Sequence, residues 1–259
     1  MECSSKMDHQ LQKAAFWKRV AAWLLDAIMV CILTVGIAAL LSMQLGYDSY
    51  SAAVDEAYLK YEQAYNIDFD ITQEDYAAMS EAYRQRYDDA CQALSQDQQA
   101  MRAYSMMLNL VLIIASVSIL LAMVLWEFCL PLWLGHGQTL GKKAFGLCLI
   151  RQDGIRLSSL QLFARTVLGK CTVETLLPVY MILLSIWGIM AGAGAVILLA
   201  LVIGQIACLA LTRNNCAIHD LLAATVVVDK ASQRIFNSTD DLIAYQKKIA
   251  AERAARADY

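Results

Sequence analysis

Four stretches of the chain are each long and apolar enough to cross a lipid bilayer, and no other feature restricts the fold as much. A helix rising about 1.5 Å per residue needs roughly 20 mostly apolar residues to traverse a hydrocarbon core of about 30 Å. The stretches cover about residues 17–43, 106–133, 171–190 and 193–211. The last two are nearly continuous. Together they are too long for one crossing, and Gly188, Gly192 and Gly194 sit where a tight reversal is needed.

Hydrophobic residues make up 59% of the 259 and charged residues 17%, a balance too apolar for most soluble domains of this length. The runs are continuous rather than alternating, which argues against an outer-membrane barrel. With a net charge of -3 and no dense basic run, nucleic acid is not an expected partner. The eight cysteines form no CxxC pair or Cys/His cluster and lie mostly inside apolar runs. There a free thiol behaves as a small hydrophobe, so neither a metal site nor a disulfide framework is expected, and no cofactor is implied. The first apolar stretch exceeds the roughly 7 to 15 residues of a signal-peptide core and should remain as a span.

Lysine and arginine set the orientation. Of the 21, only Lys60, Arg84, Arg86 and Arg102 lie between the first two spans, a segment that also holds twelve acids from Asp48 to Asp97. The positive-inside rule therefore predicts that both termini and residues 135–170 are cytoplasmic, with the acidic segment outside. That segment, 44–105, has no proline and is rich in Ala, Gln, Glu and Tyr, so a helical insertion is expected. Thr72 and Asp75 form the pattern of a capping box for a helix running toward the second span. Tyr58, Tyr61 and Tyr65, and then Tyr76, Met79, Tyr83 and Tyr87, recur at helical spacing, as in a hairpin packed through tyrosines. Alternatively, this acidic, tyrosine-rich surface receives a protein partner or a cation.

On the opposite side, Gly137 to Gly141 leaves one residue too few for a phosphate-binding loop, and Lys143 stands where its hydroxyl belongs. Residues 147–151 and 225–229 read as short strands, and Asp153-Gly154 is a turn signal leading into 155–157. These three pieces are expected to pair as a small sheet. Ser158 and Gln161 should cap a helix lying at the membrane surface before the third span. The tails at 1–16 and 230–259 are expected to be cytoplasmic. The whole reads as an all-α membrane protein: four transmembrane helices over 17–229, an extracytoplasmic helical hairpin insertion and a small cytoplasmic β element.

Charges inside spans need a reason, since each costs about 2.5 to 3.5 kcal/mol near the bilayer centre. Asp26 falls roughly 15 Å below the Phe16/Trp17 interface, close to the midplane. Arg19 shares its helix face but stands about 10 Å away along the axis. Asp26 thus needs a partner on another helix, or a proton. Glu127 lies toward the cytoplasmic end of the second span, and Glu174, four residues after Lys170, is placed to pair with it. Asp220 and His219 follow the fourth span at the level of Arg19 and Arg165, and a cytoplasmic-side cluster of these groups is expected.

The sequence resembles the RDD family of bacterial membrane proteins, named for an arginine and two aspartates. Phe16-Trp-Lys-Arg-Val-Ala-Ala-Trp-Leu-Leu-Asp26 looks like the family's first helix. Gly137, Gln138, Thr139, Gly141 and Lys142 look like its inner loop, Arg165 like its later arginine, and His219-Asp-Leu-Leu-Ala-Ala-Thr225 like its closing motif. Ala224 replaces a commoner glycine. The resemblance implies a multi-pass inner-membrane protein, a family for which transport of an unidentified ligand has been proposed, and it says nothing of the long segment 44–105.

Two functions fit these residues. In one, Asp26 binds a proton or cation near mid-membrane, with Arg19 and Asp220 in a cytoplasmic gate; four spans make a thin pathway, so a homo-oligomer is expected. In the other, the chain is a noncatalytic scaffold whose buried charges serve assembly. No nucleophile with base, metal cluster or cofactor loop points to an enzyme.

Overall fold

The computed structural model describes residues 14–135, 137–212 and 214–257. Nearly all of the expected tail at 1–16, and His136 of the inner loop, lie outside the described residues. Contacts divide the chain into two units, one formed by Val35–Ser118 and the other by the residues up to Thr34 together with those from Ile119 onward.

Helix α1 (Phe16–Leu45) runs unbroken through 30 mostly apolar residues and stops at Gly46, whose φ of 70° is left-handed. Helix α2 (Tyr47–Tyr65) follows and ends at Asn66, also left-handed. Thr72 and Asp75 form the reciprocal capping box of α3 (Gln73–Ala78). That helix does not continue toward the second span as expected: the chain turns extended at Met79, and α4 (Glu81–Gln96) begins afresh. Helix α2 packs against α4. The tyrosines act through a residue that periodicity did not single out, because Phe69 makes edge contacts with both Tyr58 and Tyr87.

Asp97 opens the next run, accepting bonds from the backbone N–H groups of Gln99 and Ala100. Helix α5 (Gln98–Met123), a π-helical turn at Val124–Cys129 and α6 (Leu130–Leu134) form one continuous rod. After α7 (Leu140–Ala144) comes strand β1 (Leu147–Arg151). Helix α8 (Ser159–Phe163), capped by Ser158 and Gln161, passes without a break through a 13-residue π-helical stretch, Ala164–Leu176, into α9 (Leu177–Ile186). The expected surface helix and third span are therefore one rod, Ser159–Ile186. Gly188, at a φ of 71°, lies in the reversal, and α10 (Ala191–Leu211) packs back on α9. Helix α11 (Ile218–Leu222), strand β2 (Thr225–Asp229) and α12 (Thr239–Ala257) complete the chain.

Both prolines follow directly on a π-helical stretch. Proline lacks an N–H and its ring collides with the carbonyl four residues earlier, which a wider turn relieves. Those carbonyls belong to Glu127 and Glu174. The Glu127 carbonyl regains a donor from the Thr166 hydroxyl at 3.1 Å.

Strands β1 and β2 pair antiparallel, from Leu147 opposite Asp229 to Arg151 opposite Thr225. Leu147, Leu149 and Val227 pack with Ala22 and Leu162, while Cys148, Ile150, Val226 and Val228 form a second buried cluster. The expected third strand at 155–157 is reduced to isolated bridges from Ile155 and Arg156, since only three residues separate the Asp153-Gly154 turn from the Ser158 cap. Along the four rods large apolar side chains lack protein cover, as at Ile32 (60% exposed) and Ile206 (60%), the surface a helix presents to lipid.

Candidate functional site

Asp26 is 1% exposed and its carboxylate is saturated. Oδ1 accepts from the Trp126 indole N–H (3.1 Å) and the Gly141 backbone N–H (2.9 Å), Oδ2 accepts from the Thr139 hydroxyl, and the Lys142 ammonium stands 3.6 Å from Oδ2. Thr139 also caps α7 by accepting from the Lys142 N–H. The partner expected on another helix is thus supplied mostly by the inner loop, drawn up against α1. The approach is so close that a Cβ at Gly141 would lie 2.3 Å from the Ala22 carbonyl oxygen and 2.8 Å from the Asp26 carboxyl. Gln138 turns to the sheet, donating to the Leu147 carbonyl at 2.6 Å and accepting from Lys230. Gly137, at a φ of 61°, sits against Leu149.

Lys142 is also 3.7 Å from Glu127, whose other oxygen accepts from Lys170. Burial pulls the Lys142 pKa below its ordinary value, and the Glu127 and Asp26 carboxylates oppose that pull. The expected pairing of Glu174 with Lys170 does not form. Both lie in the π-helical stretch, and each is engaged across to another element: Lys170 donates to Glu127 on the second rod, and Glu174 faces His219.

Glu174 turns to α11. Its Oε1 accepts from the His219 backbone N–H (3.0 Å), and its Oε2 lies 2.7 Å from Nδ1 of the ring. Arg165 Nη2 donates to His219 Nε2 at 2.9 Å, which requires the proton on Nδ1 and a neutral imidazole. Burial, reinforced by the Arg165 charge, lowers the His219 pKa accordingly. Arg165 Nε donates to Asp220 Oδ1 at 2.9 Å, and Arg19 Nη2 approaches Asp220 Oδ2 at 3.5 Å. Burial works against ionising Asp220, yet Arg165 and Arg19 hold its carboxyl below the usual range. Arg19 also donates to the Asn215 carbonyl at 2.7 Å.

Apart from Gly137 and Gln138, the residues singled out in the sequence fall into two adjoining networks. Asp26, Thr139, Gly141, Lys142 and Glu127 make one; Arg19, Arg165, Glu174, His219 and Asp220 make the other. A cavity of about 280 Å³ is lined by members of both, with Val20, Trp23, Leu209 and Val227 among its apolar walls. Sequence reasoning missed Trp126, an indole inside an apolar run. It also gave Lys170 the wrong partner, and the proline at 178 was the signal that could have warned of an irregular helix before it.

A family model described as RDD family matches residues 13–224. No curated protein and no solved structure matches the chain.

Proposed function

The chain belongs to the RDD family, a family of membrane proteins, and from that premise we propose that it moves a small ion or ligand across a bacterial inner membrane, using the cavity between the two buried networks as its binding site. The carrying observation is that cavity. Groups whose burial needs a reason converge on it from the first and third rods, from α7 and from α11. Asp26 ties α1 to the inner loop through Gly141 and Lys142, so a change in its protonation would loosen that junction and couple proton binding to access. Both termini are cytoplasmic in this reading, Val35–Ser118 carries the extracytoplasmic insertion, the working unit is a homo-oligomer, and the chain is no enzyme.

Asp26→Asn tests it. The amide keeps an oxygen for the Gly141 N–H while removing the charge facing Lys142. In reconstituted vesicles the variant should fold normally and lose proton-coupled flux by at least about tenfold, equivalent to about 1.4 kcal/mol. Unchanged flux would reject the role of Asp26. The saturation of Asp26 by fixed donors favours a second reading, in which the chain is a noncatalytic scaffold and the carboxylate serves only assembly. There the same substitution gives a folding defect or no effect.

A further inference from the structure

The cavity that the transport reading uses is built for an acceptor rather than for a cation. Every carboxylate oxygen on its wall already faces a donor. Asp26 is held by Trp126, Thr139 and Gly141; Asp220 Oδ1 accepts from Arg165 and Oδ2 from the Ala217 N–H; Glu174 holds His219 with both oxygens. A metal cation entering here would have to strip these donors away. One donor on the wall is in the opposite condition. Arg165 is 3% exposed, and its Nη1 finds no hydrogen-bond partner among the described residues. The cavity wall carries Arg19, Lys142, Arg165 and Lys170 beside Asp26, Glu174 and Asp220; Lys142 and Lys170 are also neutralised by Glu127, which leaves the Arg165 guanidinium as the cation with a donor to spare. A buried guanidinium nitrogen lacking an acceptor is costly, and a carboxylate or phosphate oxygen is its natural complement.

We propose that this cavity binds an oxyanion, a carboxylate or phosphate group attached to an apolar body, with the Arg165 guanidinium as the primary contact, swinging its unpaired Nη1 to the ligand, and Arg19 and Lys170 supplying supporting charge. Val20, Trp23, Leu209 and Val227 receive the apolar part. A volume of about 280 Å³, near the lower end of the roughly 300 to 1,000 Å³ usual for ligand pockets, limits the occupant to a short chain or the head region of a lipid. The inference deepens the transport reading by naming the ligand's class. Its test reads binding alone, so failed flux and failed binding are separate results.

The full chain, purified in detergent and stripped of lipid, is melted with hexanoate, inorganic phosphate, or sodium and potassium chloride at constant ionic strength. In parallel it is melted in nanodiscs of phosphatidylcholine with and without phosphatidylglycerol. Saturating hexanoate should raise the melting temperature by at least about 3 °C, and phosphate by less, because it lacks the apolar part. Arg165→Lys keeps a charge for Asp220 but has no Nη1, and should weaken hexanoate binding about tenfold or more. Leu209→Trp fills the cavity from α10 without touching a charged group and should abolish binding, which decides the matter even where Arg165→Lys fails to fold. Stabilisation by phosphatidylglycerol alone, lost in Leu209→Trp, would make the oxyanion a lipid headgroup; stabilisation by hexanoate in detergent makes it a free solute. The proposal is overturned if no oxyanion stabilises the protein, if Leu209→Trp retains the effect, or if sodium or potassium gives the rise instead.

Discussion

Gly141 and Ala224 are small residues in demanding places. At Gly141 the obstacle is the backbone oxygen of Ala22, which cannot rotate aside, so Gly141→Ala must separate α7 from α1 and break the Asp26 bond to the Gly141 N–H. The expected cost is about 3 kcal/mol, the upper end for over-packing, read as a fall in melting temperature in detergent. A wild-type melt would show that the inner loop is not seated on α1. Ala224 presents the opposite case, since its φ of 52° puts an L-residue in left-handed space. That conformation costs roughly 1 to 2 kcal/mol, of which a glycine's greater freedom in the unfolded chain returns about half. Ala224→Gly should therefore stabilise by about 0.5 to 1 kcal/mol, a rise of roughly 1 to 4 °C; a lower melting temperature would refute it. At this scale the sequence was informative where chemistry is unusual. An acid at mid-span had to have partners, but nothing in the spacing of Asp26 and Gly141 revealed that a backbone N–H would be among them.

The elements themselves were largely legible, because apolar runs, capping boxes and short apolar strands beside a turn signal each follow from local physics. What escaped were the places where one element alters another's period. Proline at 131 and at 178 each follows a π-helical stretch, and within the second stretch Lys170 reaches Glu127 on another rod while Glu174 meets α11 rather than its own helix neighbour. The consequence is measurable through His219, which joins α11 to that stretch between Arg165 and Glu174, with Asp220 3.6 Å from Nε2. Its folded pKa is depressed while its unfolded value stays near the ordinary 6.5 or so. The stability it contributes is therefore complete above about pH 6.5 and is lost as pH falls through the lower folded value. Melting temperature should decline from pH 7.5 to pH 5, and His219→Gln should flatten the decline. A variant with an undiminished slope would assign the acid sensitivity to another group.

For the molecule as a whole, the decisive number is the count of crossings, and interactions within the larger unit agree with an even one. Lys18 pairs with Asp229 at 2.9 Å and Arg19 donates to the Asn215 carbonyl, joining the start of the first rod to the chain beyond the fourth. Asp26 holds the loop that follows the second rod, and β1 from that connection pairs with β2. The start of α1, residues 137–158 and residues 214–229 therefore lie together in the larger unit, the arrangement that four crossings would require. Charge then decides which face of the membrane they occupy. Seventeen of the 21 lysines and arginines lie outside the segment between the first two rods, so the shared face should be cytoplasmic and the acidic α2–α4 segment should be exposed on the other side. Single cysteines at exposed Gln96 and Glu252, introduced into a cysteine-free background, separate the possibilities. A membrane-impermeant maleimide applied to spheroplasts should label Gln96→Cys and spare Glu252→Cys until the cells are lysed. The reverse pattern would invert the protein, and labelling of both before lysis would break the even count itself.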